Sequence, residues 1–152
     1  MNVGIRGYGT YIPETVMTAK EIADETDIPE QVIAEKFGVK QKPMPGPGDT
    51  TSYLGRRAAE NAIAQAGVDP QSIDLVLWNG AQHKDYPCWL AGLKVASDIG
   101  ATKAWSFDME AMCGSMMAGF DVAKAMMLQK RDMNRVLLVS GYRNVDLIDL
   151  SV

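Results

Sequence analysis

Residues 106–120 read SFDMEAMCGSMMAGF. A strand-like apolar run leads in, a carboxylate follows at Asp108, and Cys113 then opens a series of small residues and methionines. This is the pattern of a strand passing directly into a helix with a cysteine at or beside its first residue. The first-turn N–H groups of a helix lack internal partners and its dipole favours negative charge, so a thiol at such a place can ionise below the value of about 8.5 of a free cysteine. The same N–H groups can hold the oxyanion that forms when a thioester or ester carbonyl is attacked. Nucleophile and stabiliser from one piece of backbone suit acyl transfer. On local pattern alone a second reading stays open, because cysteine is among the most buried residue types and often fills space at such a turn as a small hydrophobe.

The helix that follows is expected over residues 113–130. Met116, Met117, Phe120, Ala123, Met126 and Met127 cover most of its surface, which predicts burial in a core or a subunit interface. Gly114, Ser115, Ala118 and Gly119 are small and permit close approach by another element. Outward from this stretch, short apolar runs alternate with amphipathic segments, the pattern of strands joined by crossover helices in a mostly parallel α/β sheet. Strands are expected at 3–8, 73–78, 104–109 and 135–140. Thr18 with Glu21 has capping-box spacing, and Pro29 and Gly38 bracket a second short helix. Residues 40–49, KQKPMPGPGD, carry three prolines and two glycines and read as a loop. Leu54, Ala58, Ala59, Ala62, Ile63 and Ala66 recur at helical spacing between a threonine cap at Thr50 or Thr51 and a stop at Gly67. Pro87 is expected to open another helix, with Leu90, Leu93, Ala96 and Ile99 facing inward.

The 152 residues suffice for one domain with a real core, expected over 1–152. With 47% apolar residues, 22% charged residues and a net charge of −4, nothing basic is available to grip phosphate backbones, so nucleic acid is not expected as a partner. The start MNVGIRGYGTYIP lacks a basic, then apolar, leader, and no apolar run approaches the roughly 18 residues of a membrane span. A cytoplasmic chain without membrane attachment is the expectation. Cys88 and Cys113 sit in different elements without metal-ligand spacing, which predicts reduced thiols and no metal site.

At Phe107, Asp108, Ala111 and Cys113 the sequence resembles the active-site region of β-ketoacyl-acyl-carrier-protein synthase III and its thiolase-fold relatives. GIRGYGTYIPETVMTAKEIA resembles that family's glycine-containing first strand, Tyr-x-Pro turn and Thr-led helix. KFGVKQK resembles its Thr-Gly-Ile-Arg element, and SIDLVLWNG followed by Pro87 resembles the third strand region and the helix before the nucleophile. The similarity runs through essentially the whole chain.

The resemblance implies the N-terminal half of a duplicated thiolase-like fold, with the C-terminal half absent. It implies that Cys113 accepts an acyl group from an acyl-CoA thioester, with its own N–H as an oxyanion donor. Decarboxylation of malonyl on acyl carrier protein then supplies the carbanion, assisted by a histidine and an asparagine from the second half. No cofactor is implied, since coenzyme A enters as part of the substrate, and the expected assembly is a homodimer or a pairing with the missing half. Where the family stacks the coenzyme A adenine on a tryptophan this chain has Val32, and a neighbouring arginine is replaced by Lys36; an aliphatic side chain offers no comparable flat face. Glu110 and Met112 are larger than the residues expected beside the nucleophile. His83 does not occupy the family's imidazole position and is expected in a loop, with a role as base on Cys113 as the minor alternative. Competing readings are a hydroxymethylglutaryl-CoA synthase-like enzyme, for which WNGAQH supplies no glutamate, a thiolase-like enzyme, and a non-catalytic thiolase-fold subunit or binding module.

Overall fold

Thr18 and Glu21 form the capping box that their spacing predicts. In the structure, a computed structural model describing residues 2–80, 85–143 and 145, the Thr18 hydroxyl accepts the Glu21 N–H (3.2 Å) and the Glu21 carboxylate accepts the Thr18 N–H (2.6 Å). They join β1 (Val16–Thr18) to α1 (Ala19–Glu25). A wide helical turn over Val32–Lys36 follows, in which the Phe37 N–H reaches back five residues to the Val32 carbonyl (3.0 Å), and Gly38 at φ 71° ends it. β2 (Gln41–Pro43) pairs antiparallel with β1, with Met17 opposite Lys42. The loop expected over 40–49 therefore begins with a strand. Pro43 is tolerated because it ends a strand at an edge, where its missing N–H breaks no ladder. Further along, the Arg143 guanidinium donates to the carbonyls of Gly46 (2.5 Å) and Asp49 (3.2 Å). These segments form one compact unit, residues 12–49 with Arg143 and Val145.

The second unit comprises residues 2–11 and 50–142. Its first helix, α2 (Thr51–Ala66), is capped by the Thr50 hydroxyl, which accepts the Tyr53 N–H, and ends at Gly67 in the left-handed region (φ 61°), as expected. Its sheet holds β3 (Leu75–Gly80), β4 (Trp105–Glu110) and β5 (Val136–Val139), all parallel in the order β4-β3-β5. Leu77 sits opposite Phe107 and Leu138. The central strand is buried along its whole length. Alternate residues serve two cores: Val76, Trp78 and Val139 pack with Ala59 of α2 and Val95 of α3 (Ala91–Asp98), while Leu75 and Leu77 pack with Val122, Met126 and Met127 of α4 (Ser115–Gln129). Helices thus cover both faces of a parallel sheet. Trp78 is fully buried, and a Cβ at Gly55 or Gly80 would collide with its indole.

Three expectations are corrected here. Residues 3–8 join no strand ladder among the described residues; they lie along α2. Gly7 and Gly9 permit close approach to Gln65 and Ala66 and to residues 58–62 respectively, while α2 supplies hydrogen-bond partners: Arg6 Nε–H donates to the Ala66 carbonyl (3.2 Å) and Tyr8 N–H to Gln65 Oε1 (3.2 Å). Pro87 does not open a helix; α3 starts at Ala91 and buries Ala91, Gly92, Val95 and Ala96, leaving Leu90 and Leu93 exposed. The helix expected from Cys113 begins as a tight turn over Met112–Gly114 and becomes α-helical at Ser115. No helix among the described residues is long and apolar enough to cross a membrane.

Among the described residues of this unit, α4 is buried on one side. Ser115, Gly119 and Ala123 line its inner face, and a Cβ at Gly119 would collide with Asn79 Oδ1 on β3. On its outer face Met117 is 64% exposed, Phe120 41% and Leu128 50%, where the methionine-rich sequence predicts burial.

Candidate active site

Cys113 is a free, exposed thiol in the turn between the end of β4 and the start of α4. The turn is tied at several points. Gly114 N–H donates to the Ala111 carbonyl (3.0 Å), and the Ser115 N–H closes the same turn onto Met112. The Ser115 side chain does more. Its Oγ accepts the Ala111 N–H (2.7 Å) and lies 2.8 Å from both the Gly80 and Met112 carbonyls, either of which can accept its single proton. Ser115 is 3% exposed, so this hydroxyl works out of water at the junction of β3, β4 and α4. Met112, directly before the thiol, sits at φ 51°, a region that non-glycine residues seldom occupy.

Asp108 fixes the neighbouring helix. From β4 its two carboxylate oxygens accept the N–H groups of Ala91 (2.8 Å) and Gly92 (2.9 Å), the first two residues of α3. Leu90 at the N-cap offers no side-chain acceptor, so a charge from another element fills that role and also complements the helix dipole. Asp85 does the same for α2, accepting the Ser52 N–H and hydroxyl. In the sequence Asp108 is only part of a resemblance and Ser115 only a small residue. Neither role has a local signal, since the helix starts at Ala91 and Ser115 emerge only in the structure.

The other candidate residues belong to other elements. Val32 and Lys36 occupy the wide turn of the first unit, Lys36 exposed and Val32 half-buried, followed by the exposed Phe37. Glu110 is exposed at the end of β4. Cys88 is exposed in the segment before α3, at φ 58°. His83 lies outside the described residues.

No family model matches the chain. Among curated proteins it is 31% identical over 138 residues to β-ketoacyl-[acyl-carrier-protein] synthase III of Agrobacterium fabrum, covering 90% of this chain and 42% of that protein. It is 28% identical over 150 residues to the protein of that name from Rickettsia rickettsii, covering 98% and 46%. Among solved structures it superposes on the priming β-ketosynthase of a polyketide biosynthetic pathway with a TM-score of 0.90, at 28% identity over 97% of this chain and 44% of that one. The 3-oxoacyl-[acyl-carrier-protein] synthase III of Aquifex aeolicus gives a TM-score of 0.86 at 22% identity, over 97% and 47%, which speaks for the fold. The chain spans less than half the length of the relatives it matches. With its parallel sheet, its helices on both faces and this relatedness, the chain has the thiolase-like fold and is a relative of the β-ketoacyl-[acyl-carrier-protein] synthase III proteins.

Proposed function

We propose that this chain is the nucleophile-bearing portion of a condensing acyltransferase of fatty-acid or related biosynthesis. The observation that carries the reading is the exposed Cys113 thiol at the strand-to-helix turn of a chain related to β-ketoacyl-[acyl-carrier-protein] synthase III. Cys113 Sγ attacks the carbonyl of an acyl-CoA thioester. Negative charge collects on the carbonyl oxygen and is held by Cys113's own N–H, the neighbouring Gly114 and Ser115 N–H groups being committed to the Ala111 and Met112 carbonyls. The tetrahedral species collapses with loss of the coenzyme A thiolate, leaving the acyl group as a thioester on Cys113. In the second half-reaction a malonyl group on acyl carrier protein loses carbon dioxide, and the resulting carbanion displaces Cys113 from the acyl carbon. That step draws on a histidine and an asparagine supplied by protein beyond this chain.

Lys36 and the Val32 turn are the proposed contact for the coenzyme A nucleotide, Lys36 as a point charge toward phosphate. Two further surfaces fit the proposed assembly. Among the described strands β4 is at an edge, with Trp105 52% exposed, suited to pairing with a second copy, and the exposed Met117, Phe120 and Leu128 of α4 suit cover by the remaining half of the enzyme.

Incubation with radiolabelled acetyl-CoA followed by peptide mass spectrometry tests the reading. Label on Cys113, lost in Cys113→Ser and kept in Cys88→Ser, is the expected result. A folded chain that takes no label, or takes it on Cys88, overturns it. The Lys36→Glu variant is expected to need several-fold more acetyl-CoA for the same labelling rate, with the wild-type advantage shrinking as salt is added.

A further inference from the structure

We propose that Ser115 is the positioning residue for acyl transfer at Cys113, its hydroxyl holding the preceding Met112 in the left-handed conformation that presents the thiol and its N–H to one substrate carbonyl. The inference rests on Cys113 being the acyl acceptor. Three observations carry it. The Ser115 Oγ lies within hydrogen-bond distance of the ends of both β3 and β4, through the Gly80 carbonyl (2.8 Å) and the Ala111 N–H (2.7 Å), and of the Met112 carbonyl (2.8 Å) inside the turn. At 3% exposure it has no competing water. Met112 stands at φ 51° without being glycine, and such a conformation persists only where its surroundings over-determine it. Ser115 is the described side chain that bonds both ends of this strained residue's neighbourhood. It touches no reacting atom; it acts through the geometry of the turn.

Replacing Ser115 by alanine leaves the Ala111 N–H and the Gly80 carbonyl without that partner and frees Met112 to relax toward negative φ. The sulfur stays exposed, but the joint orientation of thiol and Cys113 N–H is lost. Glycine at position 112 accepts positive φ without strain, so it can keep the turn in place when the clamp is gone. The pair of substitutions separates positioning from simple support of the helix.

The test compares two reactions of Cys113 in the full chain, followed by intact mass. Acetyl transfer from acetyl-CoA needs oxyanion stabilisation; alkylation by iodoacetamide is a direct displacement and does not. In Ser115→Ala acetyl transfer is expected to fall about tenfold or more while alkylation changes less than about threefold, and Ser115→Ala with Met112→Gly is expected to recover most of the acetyl transfer. Circular dichroism checks that each variant is folded. Unchanged acetyl transfer in folded Ser115→Ala overturns the inference and leaves the acyl-acceptor reading standing. Equal loss of both reactions, or no recovery with Met112→Gly, assigns Ser115 a structural role only and also overturns it. A wild-type chain that alkylates at Cys113 but accepts no acetyl group removes the acyl-acceptor reading, and this inference with it.

Discussion

Asp108 sits beside Ser106 on β4 and reaches Gly92, where a Cβ would crowd both side chains. The close contact of α3 with the sheet and the carboxylate cap are therefore one feature: Gly92 lets the helix start approach, and Asp108 satisfies the two N–H groups that approach would strand. Asp108→Ala leaves both donors without a charged acceptor and is expected to lower stability by about 2–3 kcal/mol in urea unfolding. Asp108→Asn keeps one acceptor oxygen and is expected to lose roughly half of that; equal losses in the two variants would show that charge and not acceptor number matters. This cap also explains why two of the four residues expected on the inner face of α3 lie outward, while Ala96 and Ile99 are buried as expected. Leu90, Leu93, Ala96 and Ile99 have helical spacing, but the start at Ala91 imposed by Asp108, seventeen residues later in the chain, turns Leu90 and Leu93 outward. Cys113 was legible for the opposite reason: strand, turn and helix around it are contiguous, so a local pattern sufficed. Ser115's role needs Gly80, thirty-five residues away, and no local pattern carries that.

Among the elements, α1 depends on a two-residue cap whose charge can be titrated. The Thr18 N–H, then the Thr18 hydroxyl, hold the Glu21 carboxyl below its ordinary value of 4.5. Its contribution to α1 is therefore complete above the unfolded value and is lost as pH falls through the lower, folded value. Lys20, bonded to Asp24 (2.8 Å), is shifted up from 10.5 by that hydrogen bond and the charge of Asp24, so its contribution is complete below 10.5 and fades only as pH rises through the higher folded value. Acidification from pH 6 to pH 3 is expected to raise amide exchange in α1 after correction for intrinsic rates, and Glu21→Ala is expected to abolish most of this dependence. An unchanged acid response in that variant would remove the cap as its source. The same cap was readable in the sequence because Thr18 and Glu21 are three residues apart. β2 was not readable, since Gln41–Pro43 becomes a strand only against β1, and residues 3–8 fail as a strand for the complementary reason: their alternation is strand-like, yet α2 supplies their partners.

On the scale of the whole molecule, the unit that carries Cys113 exposes several large apolar side chains on α4, interspersed with the exposed Asp121 and Lys124. Met117, Phe120 and Leu128 recur at three- and eight-residue spacings from Phe120 along one side of α4, and the inner side of that helix is already committed to β3 through Gly119 and Asn79. The sequence makes α4 apolar apart from Asp121, Lys124 and Gln129, which is why it predicts burial; among the described residues of its own unit, only one face of the helix is packed. Exposed apolar patches of this kind drive association when nothing else covers them. The isolated chain is accordingly expected to sediment above its monomer mass of 16.5 kDa at tens of micromolar. Met117→Lys with Phe120→Asp should return it to the monomer. Met117 is 64% exposed but Phe120 only 41%, so the double variant is expected to cost about 1–2 kcal/mol, and urea unfolding of the variant checks that a change in assembly is not a loss of fold. Cys113 alkylation in that variant should stay within about twofold of wild type, since Met117 and Phe120 lie outside the Ser115 clamp. A wild-type chain that remains monomeric would show that the α4 face tolerates water on its own, and the proposed cover by the rest of the enzyme would lose its support.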